Sequence, residues 1–363
     1  MNRIADRIIN KDFVLIAEIG VNYYDIATQK DISTLDAAKL MCLEAKNAGV
    51  HAVKFQTYKA ETLAAKNSPA YWDTSEETTT SQYELFKKYD SFGEEEYKEI
   101  ANYCELIGIE FCSTAFDFES ADFLEPLMNV YKISSSDLTN LPFIEYQAKK
   151  NKPMIMSVGA GSLDEMQAAV NSVRKFNNQP LVLCHCVLEY PTPYSDANLS
   201  RITSLQKEFP DVYIGYSDHC KPDAAYDVIK TAYILGAHVV EKHFTLDKTL
   251  SGNDHYHAMD PIDARNIIES INQINVLLGD CNLGFSETEV AARTNARRSI
   301  VAACDIEKGK TITREMLTFK RPGTGISPSY IDNIVGSKAL VVIKNDELLS
   351  YSMIDYRESN SNQ

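Results

Sequence analysis

Short β-branched and apolar runs recur eight times between residues 13 and 245. They read FVLIAEIG (13–20), AVKFQTY (52–58), IEFCSTAF (109–116), VYKISSSD (130–137), PMIMSVGA (153–160), LVLCHCVL (181–188), VYIGYSDH (212–219) and HVVEKHFT (238–245). Stretches of helical period separate most of them, such as TLDAAKLMCLEAKNAG ahead of the second run and DEMQAAVNSVRKFN ahead of the sixth. Strands alternating with amphipathic helices predict a parallel α/β sheet, and eight such units predict a closed (β/α)8 TIM barrel. Chemistry in that fold gathers at the carboxyl ends of the strands. There the chain places Glu18, Lys54, Gln56, Thr114, Lys132, Ser135, Ser157, Ser217, His219, Glu241 and His243. A purely structural barrel has no use for so many charged groups on one rim, so the pattern points to an enzyme.

The pattern changes twice along the chain. Residues 1–280 carry the eight units and close with the helical stretch PIDARNIIESINQINVLLG (261–279); residues 281–297 are polar and aperiodic and read as a linker. Residues 298–357 show short strands and turns such as KGK and KND, which predicts a small β-rich module with little core of its own, leaning on another surface. Residues 358–363 read as a disordered tail. A long segment after the second run, 59–92, holds the only tryptophan, Trp72; it reads either as a wall or lid over the barrel mouth or as a peripheral packing insertion.

Composition narrows the class. A hydrophobic fraction of 44% suits a globular chain with a sizeable core. Charges interrupt the N-terminal MNRIADRIINKDF where a signal peptide would be apolar, and no window is long enough to span a membrane. Eight scattered cysteines without CxxC pairs suggest free thiols in a reducing, cytoplasmic setting. A net charge of −15 speaks against nucleic acid, and it makes lysines at strand ends more telling, because an anionic substrate needs positive charge concentrated locally.

Period-two alternation puts Ser217 with His219, and Glu241 with His243 and Thr245, on shared faces of neighbouring strands. Two imidazoles held in this way suit a borderline divalent cation that polarises a carbonyl, with Asp218 or Glu241 orienting the rings; the plain alternative is a hydrogen-bonded pair of rim histidines. Lys54 and Lys132, ringed by Thr114, Ser135, Ser157 and Ser217, fit a small, doubly anionic substrate; a Schiff-base lysine and ion pairs with Glu18 or Asp137 are the alternatives. Spacing does not choose among them. Cys184-His185-Cys186 reads as core rather than a metal site. The GAGS turn (159–162) offers either a phosphate cradle or a plain turn, and the loop SGNDHYHAMDP (251–261) either binds a polyol through Asp254 or caps the next helix.

Taken together, IAEIGVN (16–22), KFQTY (54–58), STAF (113–116), YKISSSD (131–137), HCVLEYPTPY (185–194), GYSDH (215–219), EKHFT (241–245) and KRPGTGISP (320–328) resemble the sialic acid synthases, in the same order and over about residues 12–357. The resemblance implies condensation of phosphoenolpyruvate with N-acetylmannosamine or a related acetamido sugar, giving a nine-carbon 2-keto acid and phosphate. It implies an antifreeze-like C-terminal domain, and a homodimer in which that domain covers the partner's barrel. It matches His219 and His243 to ligands of a divalent metal, manganese before magnesium or cobalt. Lys54, Thr114 and Lys132 match residues that hold phosphoenolpyruvate; Ser135, Ser157, Tyr190 and Ser217 match positions around its phosphate. Glu18, Gln56 and Asp254 match groups near the acceptor, Arg321 an arginine reaching the sugar's N-acyl group from the partner subunit, and Asp137 an acidic proton shuttle, with Glu18 as a second candidate. Ser134, Ser136, Leu188, Ala115 and Tyr23 depart from the family's usual residues and bear on which acceptor is used: N-acetylmannosamine, its 6-phosphate, or a 6-deoxy-2,4-diacetamido hexose. An aldolase working on pyruvate and a non-catalytic carbohydrate-binding relative are the competing readings.

Overall fold

The computed structural model of the chain describes residues 3–72, 74, 77–252 and 254–356; the tail expected to be disordered, 358–363, lies outside them. The eight apolar runs form parallel strands β1 (Val14–Gly20), β2 (Ala52–Thr57), β3 (Glu110–Ala115), β4 (Tyr131–Ile133), β5 (Met154–Ser157), β6 (Leu181–Cys186), β7 (Tyr213–Asp218) and β8 (Val239–His243). They close into a barrel in sequence order, with β8 paired to β1. The fourth strand is shorter than its apolar run, because Ser134 accepts the amide of Ser136 and turns Ser135–Asp137 into a 3-10 helix. Serine hydroxyls compete with the ladder for backbone donors in this way.

The barrel interior is layered. Val14, Ile16, Ala52, Cys112, Val130, Ile155, Val182, Cys184 and Val239 fill its lower part. Ile4 and Ile8 of an N-terminal helix, Ile4–Asn10, pack against that layer. Seven residues are too few to show a helical period, so the sequence alone does not reveal this helix. A larger apolar cluster joins the outer faces of the strands to the surrounding helices, including Thr34–Asn47, Glu94–Ile107 and Pro261–Leu278. Capping residues set helix starts: Ser33, Asp117, Ser162 and Asp260 accept backbone amides of the first turns.

The chain divides into two compact units at Gly279/Asp280. In the second, the stretch expected as a linker carries a 3-10 turn (Glu287–Glu289) and a helix (Val290–Ala296), and strands β9 (Ser299–Ala302) and β10 (Leu317–Lys320) pair antiparallel. The expectation of little core is corrected. Ile300, Ile306, Ile312, Leu317, Ile326, Ile334, Ile343, Leu349 and Ile354 are buried together. Scattered isoleucines at irregular spacing meet because β-bridges such as Ile306–Ile343 and Ala339–Ile354 fold the module back on itself. Among the described residues no helix is long and apolar enough to cross a membrane.

Candidate active site

Strand register assembles the mouth. Glu18 lies opposite Lys54 on β2 and His243 on β8; Thr114 lies opposite Gln56 and Lys132; Ser217 lies opposite Glu241. Because side chains alternate, these residues all project inward above the apolar layer. They line an inner cavity of about 60 Å³ together with Ser135, Ser157, Leu188, Tyr190 and His219.

Every ionic group in it is buried. Lys54 contacts the carboxylate of Glu18, donates to Thr114 Oγ1 at 3.1 Å and lies 3.9 Å from Glu241. Lys132 donates to Ser157 Oγ at 2.8 Å and to the Ile133 carbonyl at 3.0 Å, 3.8 Å from Glu241. Glu241 therefore stands between the two ammonium groups and takes the Ser217 hydroxyl at 3.1 Å. Burial disfavours its charge, but Lys132, Lys54 and His243 outweigh burial and hold its carboxyl below the usual range. Burial likewise opposes the charge on Lys54, and Glu18 with Glu241 overcomes it, raising the ammonium's pKa. For Glu18 burial wins over Lys54, and its pKa is raised. Gln56 donates to Glu18 Oε1 at 2.9 Å and fixes that carboxyl.

The imidazoles sit beside this cluster. His219 Nδ1 lies 2.8 Å from the Val187 carbonyl, which can only accept, so Nδ1 carries the proton and Nε2 keeps a free lone pair. Burial, and then the neighbouring His243, lower His219 to about 4; burial and Lys54 lower His243 to about 3. The rings are 5.6 Å apart, and the Tyr190 ring lies tilted against His219 at 4.1 Å. Neutral imidazoles of fixed tautomer are suited to a divalent cation. The donor set fits one: His243 Nδ1 and both nitrogens of His257 are buried without a hydrogen-bond partner among the described residues. Ligand atoms of His243, Asp254 and His257 lie within 4.8 Å of one another. The sequence reading placed His257 in a polar loop without giving it a role. No periodicity marks it; only the neighbouring Asp254 and His255 hint at a constellation.

Other expectations resolve differently. Asp218 does not orient an imidazole: alternation turns it away from the mouth, where it meets Lys242. Asp137 accepts from Asn140 at 3.2 Å and is absent from the lining of the inner cavity, and burial raises its pKa. Of the two ion pairs considered for the lysines, only that with Glu18 forms. His185 is tied to the Ala197 carbonyl at 2.7 Å and Cys184 lies in the barrel core, while Cys186 lines the inner cavity with its Sγ 3.9 Å from His219 Nδ1. The GAGS turn is a plain turn: Gly159 donates its amide to Ser135 Oγ at 2.9 Å, and Ser162 caps the next helix. Tyr23 is buried and stacks on Phe92 and Tyr24. Arg321 belongs to the C-terminal unit.

Described residues of the segment 59–92, with Tyr58 just before it, form a wall. Tyr58, Tyr71, Trp72, Glu77, Leu85, Phe86 and Tyr89 line an outer cavity of about 130 Å³ that shares Gln56, Tyr190 and His243 with the inner one and also takes in Asp25 and Asp254. His255 bonds Thr245 Oγ1 at 2.7 Å and Asp25 at 3.1 Å, while Asn22 donates to the Phe244 carbonyl at 3.0 Å. These bonds pin the loop after β8 and deliver Asp254 and His257 to the mouth. Burial raises the pKa of Asp254, partly offset by His255, His219 and Lys54.

Comparison with known proteins identifies the family. Residues 41–283 match the NeuB family, and residues 297–355 match the SAF domain. An N,N'-diacetyllegionaminic acid synthase of Legionella pneumophila is 40% identical over 333 residues, 89% of each chain. The N-acetylneuraminate-9-phosphate synthase of Homo sapiens is 33% identical over 343 residues, 94% of this chain and 92% of that one. A crystal structure of N-acetylneuraminic acid synthetase from Leptospira borgpetersenii, in complex with citrate, matches with a TM-score of 0.67 at 29% identity, covering 77% of this chain and 90% of that one.

Proposed function

The chain belongs to the NeuB family, and we propose that it condenses phosphoenolpyruvate with an acetamido sugar to form a nine-carbon 2-keto acid and phosphate. The observation that carries this reading is the pair of buried lysines, Lys54 and Lys132, opening with a ring of hydroxyls onto a cavity shared with His219 and His243. Charge supports it. Glu241, and Glu18 when it is ionised, offset the charge of Lys54 and Lys132, so a substrate of two or more negative charges needs a further cation. A divalent ion held by His219 and His243, manganese in the first instance, meets that need and supplies Lewis acidity toward an aldehyde oxygen.

The residues then divide the work. Lys54, Lys132, Thr114, Ser135, Ser157 and Ser217 hold the phosphate and carboxylate of phosphoenolpyruvate by charge and hydrogen bonds, and no Schiff base is required. C3 of phosphoenolpyruvate forms a bond to the aldehyde carbon, and the aldehyde oxygen takes a proton. Water adds at C2 and returns one proton to the group that served the aldehyde oxygen; the C2–O bond to phosphate then breaks, the new hydroxyl's proton leaves with the phosphate, and the keto group remains. Glu18 borders the cavity and Asp137 does not, so the proton taken by the aldehyde oxygen is assigned to Glu18, whose raised pKa favours the protonated form that can donate it.

The outer cavity is assigned to the acceptor. Its lining holds Asp25, Glu77 and Asp254 beside aromatic rings, and among the described residues no lysine or arginine. Lys59, Lys87 and Lys88 of the wall are engaged by Asp90, Phe92, Glu61, Glu77 and Thr79. Such a lining favours an uncharged acetamido sugar over a 6-phosphate. A homodimer accompanies this reading, with Arg321 reaching the acceptor's N-acyl group from the partner; exposed Leu340, Val341 and Val342 on the C-terminal unit suit a surface of association.

The test is phosphate release from phosphoenolpyruvate with manganese across N-acetylmannosamine, its 6-phosphate and 2,4-diacetamido hexoses. Release with an uncharged acceptor, abolished by EDTA and by His243→Ala, is expected. No release with any acceptor from folded, metal-loaded protein would sink the reading.

A further inference from the structure

His257 is fully buried, yet neither ring nitrogen meets a hydrogen-bond partner among the described residues. An unmet buried polar group is costly, so a histidine kept there unpaired calls for a ligand rather than for packing. Its surroundings say which kind. The ring stands edge-on to His243, centroids 4.9 Å apart, and lies 6.3 Å from His219. Tyr190 at 5.7 Å and Tyr256 at 5.1 Å confine it from other sides. Asp254, three residues earlier, brings a carboxylate oxygen within 4.8 Å of ligand atoms of both His243 and His257. His255, between them, is anchored to Thr245 and Asp25, which fixes the loop that carries both.

We infer that His257 is a third imidazole at the divalent cation proposed at the mouth: its ligand atom lies within 4.8 Å of those of His243 and Asp254, while His219 stands farther off, its ring centroid 6.3 Å from that of His257. The inference rests on the metal reading above and extends it from two protein ligands to a cluster that includes the loop after β8. A third imidazole strengthens retention and shifts preference from manganese toward cobalt and zinc, following ligand softness and the general order of divalent affinities. It also couples the metal to the loop that carries both Asp254 and His257.

The experiment is manganese binding to the full-length protein by calorimetry, for wild type, His257→Leu and His257→Gln. Each variant is expected to bind at least about tenfold more weakly. Electron spin-echo modulation of the bound manganese is expected to show one fewer nitrogen coupling. The metal-free His257→Leu protein is expected to melt no lower than wild type, because an unsatisfied polar group has been replaced by an apolar one. The Gln variant keeps the test valid if Leu does not fold. Variants that bind manganese as tightly as wild type, with the same nitrogen couplings, overturn the inference while leaving the metal reading intact. Wild-type protein that binds no manganese, cobalt or zinc overturns both.

Discussion

Lys242 donates to Asp218 at 2.5 Å across β8 and β7, on the side of the strands turned away from the mouth. Both side chains are buried, and the carboxylate also takes the Cys220 amide and the Tyr216 hydroxyl at 3.0 Å. Lys242 donates in turn to the Cys220 carbonyl at 2.7 Å. The pair therefore clamps the turn that carries His219, immediately beyond the end of β7, without touching the cavity.

Breaking that pair from one side strands a buried charge. Lys242→Met is expected to lower unfolding stability by about 3–5 kcal/mol, and the double change Asp218→Asn with Lys242→Met to recover part of the loss. Urea unfolding of the three proteins reads this; a Lys242→Met midpoint equal to wild type would contradict the clamp.

The two mouth lysines should fail differently from a surface pair. Lys54→Met and Lys132→Met are each expected to lower kcat/KM for phosphate release by about 10²- to 10³-fold. Arginine should not restore either activity: Lys132 fits between Ser157, the Ile133 carbonyl and Glu241, and a planar fork does not. Full activity in Lys132→Arg would show that charge alone suffices.

Trp72 is the only tryptophan in the chain and lines the outer cavity, its Nε1–H donating to the carbonyls of Glu77 and Thr79 at 3.2 and 3.1 Å. Acceptor binding is expected to change its fluorescence in proportion to occupancy, and phosphoenolpyruvate alone to change it far less. An acceptor that supports turnover without altering the emission would place the sugar elsewhere.

Acid should weaken the barrel through His51. Its Nδ1 accepts the Leu15 amide at 2.9 Å, and burial, with Arg7 nearby, lowers its pKa from 6.5 to about 4. The unfolded chain takes up that proton first, so the contribution is complete above pH ~6.5 and lost as the pH falls through about 4. Allowing for partial exposure, the loss is about 2 kcal/mol. His51→Gln should flatten stability against pH in that window, and an unchanged slope would remove His51 from the acid response.

The site was unevenly legible. Lys54, Thr114, Lys132, Ser157, Ser217, Glu241 and His243 could be placed on one rim because strand alternation is local and needs no knowledge of the partner strand. His257 could not, since loop residues carry no period and it meets His243 only after the segment following β8 is pinned by His255 and Asn22. The aromatic wall is a similar case. Tyr71, Trp72 and Tyr89 are apolar residues of a long segment whose packing partners lie elsewhere in the chain, so wall and insertion look alike until it folds.

By itself the sequence determined the eight-stranded barrel, the order of its strands and the face on which each strand-end side chain stands, because periodicity and apolar burial follow from neighbouring residues. Tertiary structure alone decided the rest. It set Glu241 between two lysines, turned Asp218 toward Lys242 rather than a histidine, closed the core of the C-terminal module and brought His257 to His243. Each of these depends on register or loop closure between distant segments, and the free energy of such contacts is settled only when the whole chain packs.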